Sequence, residues 1–182
     1  MDRPAVPSPG DEHWAPDLLV LARRTLTYAG RLLVELEPDG TVFQHSPLAG
    51  MAAVEQRYPS WAMGPFGRIE PEHALPAAAG VFALVQGGTV RYVGASTHLE
   101  RTFGVRHGLG DISRRDCQQA TAEERCRLNR LVVAEARAGR TVDLYVLATG
   151  RVSRWRRSTG EDPTLLAAEL AEAAHGSWHL PR

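Results

Sequence analysis

Lysine is absent from this 182-residue chain, and arginine alone carries its 21 basic charges. Nothing catalytic is read into that substitution. Cysteine is scarce as well. Cys117 and Cys126 form neither a metal-ligand spacing nor a disulfide framework. The seven histidines are too scattered to complete the roughly four organised ligands of a structural zinc site. A pair of cytosolic thiols is the plain reading. No apolar run is long enough to span a membrane. The start of the chain, with Asp2, Pro4, Pro7 and Pro9, lacks the basic-then-apolar order of a signal peptide. A cytoplasmic protein with no membrane partner is therefore expected. Internal repeats are also missing.

What is present suffices for an ordinary core. Apolar residues make up 43% of the chain, and the length suits one domain, or a compact domain with an N-terminal addition. The net charge is zero but unevenly spread. Residues 1–79 hold 6 arginines against 10 acids, residues 91–157 hold 14 against 7, and residues 158–182 hold 1 against 4. A basic block between acidic ones points to a polyanion site in the middle of the chain.

Residues 1–13 read as a flexible lead-in. Leu18, Leu19, Leu21, Ala22, Leu26 and Ala29 recur at roughly helical spacing, predicting a helix from Trp14 to Ala29. Leu32 to Leu36 reads as a strand, Glu37-Pro-Asp-Gly40 as a turn, and Thr41 to Gln44 as the returning strand. A further helix is expected over Ala49 to Tyr58. This 14–75 extension suits target recognition, a homodimer contact or enlargement of the core, and its acidic balance disfavours phosphate.

The segment from 76 to 182 reads as the main domain. Gly80 to Val85 and Thr89 to Gly94 form a hairpin around Gln86-Gly87-Gly88. A two-residue turn puts Phe82 and Tyr92 on opposite faces, whereas a three-residue loop puts them opposite each other on one face. Thr97-His-Leu-Glu100 and Thr121-Ala-Glu-Glu124 are capping boxes that open a short helix and a longer one ending at Gly139. Leu128, Leu131, Val132 and Ala136 share one side of the longer helix. Arg127, Arg130 and Arg137 share another, within about 80° at 100° per residue. Thr141 to Thr149 alternates as a third strand, and Asp162-Pro163 opens a last helix reaching Ala174. The expected fold is α+β, with a small, mainly antiparallel three-stranded sheet flanked by helices.

Gly80-Val81-Phe82 and Tyr92-Val93-Gly94, at this separation, resemble the two tripeptides that name the GIY-YIG endonucleases. Leu99-Glu-Arg101 resembles the arginine-bearing helix that follows them. Gly108 to Ser113 and Cys126-Arg-Leu-Asn129 are similar to segments of one bacterial branch, and Val142 to Val146 fits its third strand. The likeness covers residues 64 to 182. It implies a metal-dependent endonuclease acting on DNA. In that scheme Tyr92 orients water, Arg101 grips the phosphate, and a glutamate of the last helix holds one Mg²⁺ or Mn²⁺ ion. Leu165, Leu166, Leu170 and Ala173 define the expected buried side of that helix. Glu169 falls within about 40° of its centre and Glu172 about 100° away. A carboxylate on an apolar face must be paired or metal-bound, so Glu169 is the expected metal ligand, with an ion pair to an arginine such as Arg101 as the alternative. His107 is a candidate base or phosphate contact. Phe82, Arg127, Asn129, Arg130 and His179 are candidate substrate contacts, Asn129 being equally able to serve structure.

Two positions depart from the pattern. Phe82 stands where the family has tyrosine, and Ser177-Trp178-His179 resembles a Pro-Trp-Asn ending with histidine for asparagine. These departures leave two further expectations open, a relative that binds nucleic acid or a partner without efficient cutting, and a fold turned to a small substrate.

Overall fold

The structure is a computed structural model and describes residues 13–104, 108–150 and 161–179. Its first element corrects the sequence reading. In place of a helix over 14–29, β1 (Leu18–Leu21) and β2 (Arg24–Val34) form an antiparallel hairpin, with Leu21 opposite Arg24 and Leu18 opposite Thr27. The turn is Ala22-Arg23, both left-handed at φ 45° and 64°. Neither residue belongs to the usual Asn-Gly vocabulary of such turns, so the hairpin carries no turn signal. Leu19 and Leu21 pack inward, while Leu18 and Val20 are exposed. The period is two, not 3.6.

Gly30, at φ 94°, lies where the register of β2 against its neighbour shifts between Tyr28 and Arg31. Beyond this irregularity β2 pairs with β3 (Ile69–Pro71). The expected strand over 32–36 is thus mainly the end of β2. The expected return strand shrinks to a single bridge, Leu36 to Val42. Its turn forms as read, with Gly40 donating to the Glu37 carbonyl at 2.8 Å and Asp39 accepting from Thr41. Only one turn of helix, α1 (Val54–Arg57), forms within the span 49–58. A 3-10 turn at Ser60–Ala62 follows.

β4 (Ala79–Gln86), β5 (Thr89–Ser96) and β6 (Val142–Gly150) are the three strands expected of the main domain. The sheet does not stop at three. Its order is β1-β2-β6-β4-β5, with β3 paired to β2, so the N-terminal segment extends the same antiparallel sheet. The architecture is α+β, as expected, with helices flanking a sheet of six strands.

Neither capping box forms. α2 is a single turn, Leu99–Thr102, whose start is held by Ser96 Oγ, accepting from the His98 amide at 2.9 Å. α3 (Glu123–Arg137) is entered through a 3-10 turn, Ala120–Ala122, and no side chain caps it. Its end is as read. Gly139 is left-handed at φ 70°, and Arg140 N–H returns to the Glu135 carbonyl. α4 (Pro163–Ala174) also starts as read, Asp162 accepting from the Thr164 amide at 2.8 Å.

Two cores sandwich the sheet. On one face Phe82, Leu84 and Tyr92 pack with Leu99 and Phe103 around α2, and with Leu128 and Val132 of α3. On the other, Val81, Ala83, Val85 and Val93 meet Leu166, Ala167 and Leu170 of α4. A third cluster joins Leu48, Ala62 and Phe66 to Cys117 and Cys126. Both thiols are free and buried, and burial pushes them up to about 11 and about 12. No described helix is long and apolar enough to cross a membrane.

Candidate functional site

The β4–β5 hairpin combines elements of both registers read from its sequence. Gln86 pairs with Thr89 around a two-residue turn, Gly87-Gly88, at φ 58° and 76°. Arg91 then has no partner in the ladder, because Leu84 faces Tyr92 while Val85 faces Val90. That one-residue bulge reverses the alternation of faces. Tyr92 therefore returns to the face of Phe82, diagonal to it, with ring centroids 5.8 Å apart.

The glycines of the two tripeptides have a steric cause. A Cβ on Gly94 would lie 2.6 Å from Phe82 Cζ and 2.7 Å from Tyr92 Cε1. A Cβ on Gly80 would lie 2.4 Å from the Leu147 carbonyl oxygen of β6. Neither position has room for a side chain.

Two groups engage Tyr92 beyond the sheet. His179 stacks on its ring at 4.5 Å and 22°, and His179 Nε2 accepts from the Val93 amide at 3.0 Å. An accepting Nε2 places the neutral imidazole's proton on Nδ1. The tail reaches this face because Trp178 N–H donates to the Arg91 carbonyl at 2.9 Å, latching the chain after α4 onto the bulge. The Tyr92 phenol donates to Glu124 of α3. Burial, followed by the Glu124 carboxylate, raises its pKa far above the ordinary phenol range. It is a neutral donor. Beside Tyr92 and Glu124 lies a cavity of about 140 Å³, lined also by Phe82, Thr102, Leu109, Arg125 and Leu128, among others. The Arg125 charge is met by Asp116, which also accepts from the Ser113 amide and hydroxyl at 2.8 and 2.7 Å.

Of the expected site residues, Phe82, Tyr92 and His179 come together. Arg101 is on α2 beside Thr102 of the cavity wall, but its side chain is exposed and outside that wall. Glu169 does not join them. The buried side of α4 is Leu166, Ala167 and Leu170, with Ala171 and Ala174 at its margin, and Leu165 is 72% exposed. Glu169 lies about 130° from the centre of that side at 100° per residue, and it is exposed. Moreover, α4 covers the sheet face opposite Tyr92. The carboxylate facing the phenol is Glu124, a residue expected from sequence to serve a capping box. Its legible signal is the i, i+4 spacing to the buried Leu128. His107 lies outside the described residues.

Asn129 is a structural clamp rather than a substrate contact. Fully buried, it accepts from Gly67 N–H at 3.0 Å and donates to the carbonyls of Gly67 and Leu109 at 2.9 Å each. Arg127 and Arg130 face outward on α3. Arg127 is 3.9 Å from Glu123, and Arg130 donates to the Ser60 carbonyl at 3.0 Å. They line a second cavity, of about 300 Å³, with Ser60, Trp61, Leu131 and Ala134. Among the described residues no group of three or more His, Cys, Asp or Glu is placed to hold a metal ion.

Comparison with protein-family models, with curated proteins and with solved structures gave no match to this chain.

Proposed function

We propose that this chain is a nucleic-acid-binding domain of GIY-YIG type that grips the phosphate backbone through the outer face of α3. The arginine face carries the reading. Among the described residues Arg127 has only a long i, i+4 contact with a carboxylate, Arg130 is held by a neutral carbonyl, and Arg137 is exposed. Their positive charge is thus poorly compensated locally, as backbone tracking requires. Support comes from the two tripeptides, where Gly94 of the second admits the Phe82–Tyr92 pair, and from the basic block that contains α3. In a gel shift, binding to DNA should weaken steeply between 50 and 200 mM salt (about tenfold or more for a few phosphate contacts). Replacing Arg127 and Arg130 together by alanine should lower the log–log salt slope by about two. A slope unchanged by that substitution would remove the arginine face from the interface.

The Tyr92–Glu124 contact favours a second reading, metal-dependent phosphodiester cleavage with the carboxylate supplied by α3. There Glu124 would hold one Mg²⁺ or Mn²⁺ ion, which supplies Lewis-acid stabilisation of the phosphate. Tyr92 would stay a hydrogen-bond donor, and Arg101 would meet the phosphate. A plasmid-nicking assay with either metal separates the readings. Cleavage lost in Glu124→Gln and kept in Glu169→Gln supports this second reading. Loss in Glu169→Gln alone restores the ligand expected from sequence, and no metal-dependent product leaves binding as the activity.

A further inference from the structure

The cavity between the 3-10 turn Ser60–Ala62 and α3 differs in kind from the Tyr92 pocket. Its volume, about 300 Å³, sits at the lower end of small-ligand sites. Trp61 forms part of its wall and is only half-exposed, because it also packs against the cluster of Leu48, Ala62, Phe66 and Cys126. The indole is held by that packing instead of swinging free. Leu131 and Ala134, a short step apart on α3, add apolar surface. Arg130 spans the gap to the Ser60 carbonyl, which orients its guanidinium at the cost of one of five N–H donors. Arg127 lies one turn away on the same lining.

A fixed aromatic plane, apolar floor and two guanidiniums combine a stacking surface with cations for a polyanion. We infer that this cavity takes one unpaired nucleobase of a single-stranded nucleic acid, stacked on Trp61, with the adjoining phosphates on Arg127 and Arg130. A paired base hides both its faces in the duplex, so only an unstacked one offers a π-surface to the indole. Stacking of this kind is tolerant of sequence, since every base has such a face. The inference rests on the nucleic-acid reading and adds strandedness to it.

The test uses the full chain and three labelled probes followed by fluorescence anisotropy: a mixed-sequence 15-mer, its duplex, and an abasic strand of equal length and charge. The wild type should hold the 15-mer about 10- to 100-fold more tightly than the abasic strand. Trp61→Ala should erase that difference while leaving abasic affinity and salt slope unchanged, and Trp61→Phe should keep most of it. Competition by a mononucleotide alone, without preference between the strands, would reassign the cavity to free nucleotides and overturn the strand proposal. Equal affinity of the wild type for all three probes would overturn base stacking while leaving backbone binding intact. No salt-dependent binding to any probe would defeat the parent reading instead. Should Trp61→Ala unfold, judged by thermal melting, Trp61→Phe against Trp61→Leu decides the matter, equal losses or equal retention counting against stacking.

Discussion

The phenol of Tyr92 donates its hydrogen bond to the carboxylate of Glu124, tying the second strand of the hairpin to the first turn of α3. The hydroxyl that the family resemblance assigns to water is thus held by a protein carboxylate. A ligand entering the cavity would have to share or displace that contact.

Replacing Tyr92 by phenylalanine should cost little stability, about 0.5–1.5 kcal/mol, because Glu124 is exposed and stays hydrated when the donor is gone. The phenol itself should be silent in an absorbance titration. Its pKa is raised in the fold, so the native protein favours the protonated form, and this contribution persists below the ordinary phenol value and fades as alkali ionises it. Wild type and Tyr92→Phe should then develop equal phenolate signal near pH 10. A smaller signal in the variant would show Tyr92 ionising normally.

Glu72 should give an acid-sensitive contribution. Arg31 binds it twice through its guanidinium, at 2.8 and 3.1 Å, and once through its amide, at 3.0 Å. These bonds, the side-chain ones foremost, pull its carboxyl from the ordinary 4.5 to about 2. A depressed value stabilises the fold above the ordinary value and ceases to as pH falls through the lowered one. Denaturation of wild type and Glu72→Gln should differ by about 1 kcal/mol or less at pH 7, the pair being partly open to solvent, and converge towards pH 2.

Asn129→Ala should destabilise by about 2–4 kcal/mol in urea, since three buried backbone groups lose their partner together. Nucleic-acid affinity of the folded fraction should be unaltered. A loss of affinity without a loss of stability would return Asn129 to the substrate contacts.

Gly94→Ala should cost about 1–3 kcal/mol, because the new methyl must displace the rings of Phe82 and Tyr92 together. The urea midpoint measures the cost. Near-ultraviolet circular dichroism should change with it, reporting the moved Tyr92. A variant as stable as the wild type would mean the rings can part cheaply.

What the sequence disclosed depended on whether local chemistry and the tertiary partner agreed. The β4–β5 hairpin, β6, α3 and α4 were legible because glycine turns, alternation and Asp162-Pro163 all serve the final fold. β1 and β2 were not. Leucine and alanine are good helix formers, and the reversal at Ala22-Arg23 uses residues that ordinarily avoid positive φ. The capping boxes failed for a different reason. Ser96 and a 3-10 turn took over the helix starts, freeing Glu124 for Tyr92. Glu169 was misplaced because α4 is lined almost all round by leucine and alanine, so its apolar stripe hardly fixes which side meets the sheet. Turning the helix by about a quarter of a revolution puts the carboxylate in water.

The unpaired Arg91 makes the length of this hairpin a matter of parity. Drawing Arg91 into the ladder at the present length would set Tyr92 opposite Ala83 and Val93 opposite Phe82, sending the phenol towards α4, whereas deleting one residue between the Gly87-Gly88 turn and Tyr92 removes the bulge and leaves Tyr92 opposite Leu84. Substitutions in that stretch can be graded in their effects, but closing the bulge around Arg91 without losing a residue exchanges the two sides of the strand at a stroke.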